Sequence, residues 1–352
     1  LKERGAKDIL PEPMKPTIND IAKLAGVSKS AVSMRLNRHP QGEHLSSAAK
    51  RRIDNAVKEL GYQPSFAARA LGKGRTQTLG LVLGSLTNEY FSHFADAALE
   101  EAGSRGYQTL IALSRWRREL NESCIETLLA RQTDGILFYP ALDIPDKLKE
   151  RLIKNRYPFL LLEHESEDFP SAVNDIRKAL GDGLKHLRSL GHTSVTGVFG
   201  KNINYLDKFE SLCRTADLEP LMPPFPISDT EARVKTAKEI VRLRPGAIVT
   251  AGRLTAEAIL READKSAPGY RPDIVMHYDF SSSLLEDSRL AGIVRCRSRE
   301  LVKSAVVSLI QMIGSPDDIG LRRVAVPAEF IPRSGFADIG GDSIGEDQLS
   351  GF

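Results

Sequence analysis

Residues 16–37 read PTINDIAKLAGVSKSAVSMRLN. Ile18, Ile21, Ala22 and Ala25 recur with the spacing of one helix face, and Gly26 interrupts the pattern. Ser28 then offers a side-chain oxygen to a first-turn amide, so it caps a second helix whose Ala31, Val32 and Leu36 face inward. Two short helices joined by Ala25-Gly26-Val27 make a helix-turn-helix. A third helix starts at Ser46 or Ser47, buries Ala49, Ile53, Ala56, Val57 and Leu60, and stops at Gly61, which tolerates a left-handed helix end. The predicted unit is a small all-α head.

Charge separates this head from the remainder of the chain. Through Thr76 there are 15 Lys and Arg against 7 Asp and Glu, leaving 34 against 39 for the rest of the 352 residues. A basic head on an acidic body points to a nucleic-acid-binding module joined to a part with another task. The overall charge of +3 excludes a histone-like protein, and 41% hydrophobic with 27% charged residues excludes disorder. No apolar run approaches the ~20 residues of a membrane helix, and the opening LKERGAKDIL has no signal-peptide core. A cytoplasmic chain without a membrane partner is expected. Cys124, Cys213 and Cys296 are too far apart for a CxxC site and read as buried free thiols.

After the head, FAARAL at 66–71 is a helix too short to stand alone in water, and GKGRTQ at 72–77 is a joint. Strands then alternate with helices. Candidate strands are Leu79 to Leu83, Thr109 to Leu113, Gly135 to Tyr139, Phe159 to Leu162, Val195 to Phe199, Ala247 to Thr250, Asp273 to His277 and Gly292 to Val294. Helices such as Phe91 to Arg105, Glu119 to Arg131, Ile176 to Leu190 and Arg253 to Ala263 lie between them. This rhythm predicts an α/β core of two doubly wound parallel-sheet lobes, with a ligand site beyond the strands' carboxyl ends, in the cleft between lobes. The expected divisions are a flexible leader (1–15), the helix-turn-helix domain (16–63), a hinge helix and linker (64–77), the two-lobed core (78–340) and a tail (341–352).

The head and hinge resemble those of the lac repressor (LacI/GalR) family of bacterial transcription regulators. The likeness runs through Thr17, AGVS at 25–28, AVS at 31–33, Asn37, ELGYQP at 59–64 and ARAL at 68–71. It implies a homodimer on a pseudo-palindromic double-stranded DNA operator, the second helix lying in the major groove, where each base pair shows a distinct donor and acceptor pattern. Lys29, Ser30 and Met34 would then read bases, and Thr17, Ser28, Ser33, Asn37 and Tyr62 would hold phosphates. Ala68 belongs to the family's hinge segment, and Leu71 matches its leucine wedge in the minor groove. Two departures stand out: the loop RHPQGEH at 38–44 is about three residues longer than usual, and Met34 stands where a polar reader is common.

The core resembles the family's sensing domain, which is similar to periplasmic sugar-binding proteins, along residues 78–114, 133–140, 180–200 and 325–335. The resemblance implies a small effector, a sugar, sugar phosphate or sugar acid. Yet the family's effector-binding arginine falls on Tyr205 and the acid of its Asn-Asp pair on Arg253, while Asp279 keeps its identity. Losing these planar donors and acceptors weakens sugar binding, and Arg253 favours an anionic effector, unless it pairs with a neighbouring carboxylate. Cleft residues from strand ends are Asn88, Tyr90, Phe91, Trp116, Tyr139, Glu163, Tyr205, Arg253 and Asp279. Trp116, the sole tryptophan, either stacks on a sugar face or packs inside.

Catalysis has little support. Gly72-Lys73 lacks the rest of a P-loop, Gly181-Asp182-Gly183 lacks the third glycine of a dinucleotide fingerprint, and the seven histidines form no HExxH pattern. The expectation is a non-enzyme with no cofactor and no metal. The rival classes are a periplasmic-type sugar-binding module that works without DNA and a DNA-binding regulator without an effector.

Overall fold

The computed structural model describes residues 16–36, 42, 44–62, 74–87, 89–139, 144–199, 206–223, 230–278, 283–315 and 323–341. The chain divides into two compact units, Leu1–Thr76 and Gln77–Phe352.

In the first unit, α1 (Ile18–Ala25), α2 (Lys29–Leu36) and α3 (Ser47–Glu59) close around Ile21, Ala25, Val32, Ile53 and Ala56. Each boundary has a local cause. Gly26 takes φ 60° and returns its amide to Ala22 and Lys23, ending α1 at a conformation costly for a side-chain-bearing residue. The Ser28 hydroxyl accepts the Ala31 amide at 3.2 Å, and the Ser46 hydroxyl accepts that of Ala49 at 3.2 Å, capping α2 and α3. Arg35 forks onto Asp54, Nε to Oδ1 at 3.1 Å and Nη2 to Oδ2 at 2.7 Å, fixing α2 against α3.

The second unit holds two six-stranded sheets. The first lobe contains β1 (Thr78–Leu83), α4 (Glu89–Ser104), β2 (Gln108–Leu113), α5 (Arg118–Ala130), β3 (Gly135–Phe138), α6 (Asp146–Lys154), β4 (Phe159–Leu162) and β5 (Ser171–Asp175). The chain then enters the second lobe with α7 (Arg177–Ser189), β6 (Ser194–Val198), α8 (Leu206–Thr215), β7 (Glu219–Leu221), α9 (Thr230–Leu243), β8 (Ala247–Thr250), α10 (Arg253–Ser266), β9 (Asp273–Tyr278) and β10 (Leu290–Arg295). It returns through α11 (Ser298–Gly314) and β11 (Arg323–Pro327), then crosses again into β12 (Glu329–Pro332) and a 3-10 helix, Arg333–Gly341.

The orders are β11-β5-β4-β3-β1-β2 and β12-β10-β9-β8-β6-β7. Neighbouring strands among the described residues run parallel except β10 with β12. Continuous apolar strands such as TLGLVL and FLLL are buried along their length, as parallel sheets with helices on both faces require. The switch in strand order lies between β1 and β3 in one lobe and between β6 and β8 in the other.

The expected fold class is the one found. Four strands go beyond the sequence expectation: β5, β7, β11 and β12. All are short, and three contain proline (Pro220, Pro327 and Pro332), tolerated because β7, β11 and β12 lie on sheet edges. Tyr139, placed in a strand from the sequence, lies just beyond β3. Phe336 and Ile339, near the end of the expected core, pack into the second lobe's core. Only Cys213 is a buried thiol; Cys124 and Cys296 are half-buried, and all three are free. Among the described residues, no helix is long and apolar enough to cross a membrane.

Burial pushes the His277 imidazole on β9 down to about 4. The unfolded chain therefore binds a proton that the folded chain refuses between pH ~6.5 and ~4, and folding stability falls as pH drops through that window. Thermal midpoints taken from pH 7.5 to 4.5 should fall less steeply for His277→Gln than for the parent. Equal slopes would exclude His277 as a source of acid sensitivity.

Candidate functional site

Two surfaces gather the residues singled out from the sequence. In the head, α2 buries Ala31 and Val32 and leaves Lys29 and Ser30 exposed in its first turn. Unsatisfied amides and the positive end of the helix dipole lie at that same end, where Lys29 and Ser30 can donate to base edges or phosphates. Ser33 and Met34 are half-buried, so they reach outward only in part.

Three expected phosphate ligands have work inside the head. The Thr17 amide and hydroxyl both donate to Asp20 Oδ2, at 2.8 and 2.7 Å, and these bonds hold the Asp20 carboxyl below the usual carboxylate range. The Ser28 hydroxyl is the cap of α2. Tyr62 is only 8% exposed and packs among Ile21, Ile53 and Ala56, a core position first. Asn37, Ala68 and Leu71 lie outside the described residues.

In the core, the carboxyl ends of β1, β2 and β3 carry an aromatic cluster. Phe91 meets Tyr139 edge-on at 5.0 Å and Trp116 at 4.9 Å, Trp116 lies 6.1 Å from Tyr139, and Tyr90 lies 6.4 Å from Tyr139. Tyr90 and Phe91 come from the first turn of α4, Tyr139 follows β3, and Trp116 follows β2. Arg115 and Trp116 both take left-handed φ, 51° and 59°, which places the indole over the backbone of Gly84; a Cβ there would overlap its ring. Trp116 is neither a core residue nor free of packing: it is 42% exposed and laid on its neighbours.

Beside the rings sits a carboxylate. Glu163, φ 56°, follows β4, and its Oε2 accepts the Asn174 amide at 3.1 Å. Its Oε1 accepts the Asn174 side-chain amide and the Tyr90 hydroxyl, the latter at 3.4 Å. Burial raises the Glu163 pKa, and the Asn174 and Tyr90 bonds oppose that rise. Asn174 reaches further, its Oδ1 accepting the Arg297 amide at 3.1 Å and its Nδ2 lying 3.4 Å from Ser298 Oγ. Two of the three lobe crossings are thus tied to the floor of the cleft.

Arg253 opens α10 at the switch point of the second lobe. Its Nη1 donates to Glu257 Oε1, and its Nη2 meets Glu89 Oε2, on the first lobe, at 3.6 Å. The neighbouring-carboxylate alternative is therefore realised. A second ion pair spans the lobes, from Lys208 to Glu165 at 3.6 Å, and Arg323 also holds Glu165, at 2.8 Å. Half-exposed pairs of this kind are worth about 0–1 kcal/mol each, so they bias lobe closure without locking it.

Asn88, Tyr205 and Asp279 lie outside the described residues. Sequence reading missed Asn174, Glu89, Glu257 and Gly84.

Comparison with known proteins fits this geometry. A family model described as bacterial regulatory proteins, lacI family, matches residues 17–65. The chain is 28% identical over 192 residues to the HTH-type transcriptional regulator DegA of Bacillus subtilis, covering 53% of this chain and 56% of that protein. It is 30% identical over 192 residues to the catabolite repressor/activator of Escherichia coli K12, covering 51% and 58%. The match thus spans little more than half the length of either relative. In fold, it superposes on the lac repressor bound to ONPG in the repressed state, with TM-score 0.74 and 20% identity over 90% of this chain and 98% of that one.

Gly84→Ala should drive the indole off its seat, shift the emission of the single tryptophan and cost about 1–3 kcal/mol through overpacking. Emission spectra and a urea unfolding curve test this; an unchanged spectrum would mean that the ring does not lie over Gly84.

Proposed function

We propose that the chain, whose residues 17–65 match the model for lacI-family bacterial regulatory proteins, is a sequence-specific repressor of carbohydrate-related genes, a homodimer on a pseudo-palindromic operator whose affinity is set by a small effector in the cleft. The observation that carries this reading is the exposed first turn of α2, with Lys29 and Ser30 outward and Ala31 and Val32 holding the helix on the head core. Lys29 can donate to guanine O6 and N7 and Ser30 to either base type, while Met34 offers apolar contact to a thymine methyl. Thr17, Ser28, Ser33, Asn37 and Tyr62 fix register on phosphates, and Ala68 and Leu71 match the family's hinge segment, whose leucine wedges the minor groove. Effector binding acts by favouring one lobe orientation, which requires different affinity for the two states.

A regulator without an effector is the second reading, and one observation favours it. Arg253, the residue behind the expected anionic effector, already faces Glu257 and Glu89, so an anion would have to displace a carboxylate. Melting curves with sugars, sugar phosphates and sugar acids separate the readings, since a ligand that binds only the folded state raises the midpoint.

Selection of duplexes from a random pool tests the DNA reading. A palindrome should be enriched, bound with a steep salt dependence from released counterions. Lys29→Ala should weaken binding by about 1–3 kcal/mol and relax the choice at one base pair per half-site, and Leu71→Ala should weaken binding by the loss of its wedge. Failure to enrich any sequence with folded dimer would overturn the reading.

A further inference from the structure

The charges around the cleft do not match the anion that Arg253 suggests. Its guanidinium stands between two carboxylates, Glu257 and Glu89, and is more than neutralised where it lies. Glu163 is in the opposite situation. Its carboxylate accepts three hydrogen bonds, all from neutral donors: the Asn174 amide, the Asn174 side chain and the Tyr90 hydroxyl. Among the described residues, no lysine, arginine or histidine forms an ion pair with it. An ionised carboxylate has about four acceptor positions, so one remains for a further donor. An enclosed negative charge without a cation is costly, and a positive donor brought by a ligand would relieve that cost.

The surroundings suit such a donor. Tyr90, bonded to Glu163, and Tyr139, 6.4 Å from Tyr90, are half-buried aromatic rings beside the carboxylate, a type of side chain that attracts cations electrostatically. Trp116 stands next to Tyr139 at 6.1 Å and is 42% exposed, so it offers an apolar plate to a ring lying alongside. All of this lies at the carboxyl edge of the first sheet, beside the β1/β3 switch.

We propose that the cleft takes a hydroxylated ring bearing a protonated amine, with the ammonium on Glu163 beside Tyr90 and Tyr139 and an apolar ring face on Trp116. This rests on reading the cleft as a ligand site and gives that ligand its chemical class. It also assigns Glu163 the choice between amine and neutral ligands, while Arg253 serves the lobes themselves.

The test uses the full chain with glucosamine, N-acetylglucosamine, glucose, glucose 6-phosphate and gluconate as probes, read by the fluorescence of Trp116 and by thermal midpoint. Glucosamine should quench or shift the emission and raise the midpoint, with at least about tenfold tighter binding than N-acetylglucosamine, which keeps the shape and loses the charge. Glu163→Gln should remove at least about tenfold of the glucosamine affinity and abolish the preference for glucosamine over N-acetylglucosamine. Trp116→Ala, read by midpoint alone, should weaken every ring ligand. Circular dichroism and urea midpoints establish that both variants fold, and if Glu163→Gln fails to fold, the glucosamine against N-acetylglucosamine ratio in the parent decides. A response to glucose, glucose 6-phosphate or gluconate without a preference for glucosamine would overturn the amine assignment and leave a ligand-sensing cleft standing. Silence with all five would overturn the assignment too, and would favour the regulator without an effector.

Discussion

One asparagine holds the core's two halves in register. Asn174 accepts the Arg297 amide at the second lobe crossing while sitting at the end of the strand that leads into the first, and it holds Glu163 with two donors. Burial in a low dielectric strengthens each of these bonds and makes a missing partner expensive. The arrangement therefore works as a set. The ring cluster depends on it through Tyr90, whose hydroxyl ends on the same carboxylate, and the orientation of the first turn of α4 is set with it.

The head obeys a different economy. Its three helices are eight, eight and thirteen residues long, below the length at which isolated helices persist in water. Side-chain caps at Ser28 and Ser46, the left-handed Gly26 and the Arg35–Asp54 fork supply what length does not. The residues left over for recognition are those with no part in this scaffold. Lys29 and Ser30 are exposed, whereas Thr17, Ser28 and Tyr62 are divided between holding the head and facing outward.

Legibility in the sequence tracks the range of the interactions involved. The head is legible nearly to the residue because its caps act within three positions of chain. The buried strands are legible because both faces are apolar, whereas β5, β11 and β12 owe their existence to partners far along the chain and carry little pattern of their own. The pairing of Arg253 with Glu89 and the reach of Asn174 to residue 297 belong to the same class. The position of Trp116 is undecided from sequence for a local reason too: nothing in SRW announces two consecutive left-handed residues, and the Gly84 that makes room for the ring is on another strand's end.

The crossings also impose an order on biosynthesis. The first lobe's core contains Leu301, Val302, Val306 and Leu309 from α11 and Val326 from β11, residues that come after the whole of β6 to β10. A ribosome therefore releases a first lobe whose sheet lacks an edge strand and whose apolar face lacks its cover until the second lobe has been made. The head, complete within its own contiguous unit ending at Thr76, meets no such delay. A nascent chain can thus fold its helical head while the α/β core is still unfinished and dependent on protection from aggregation.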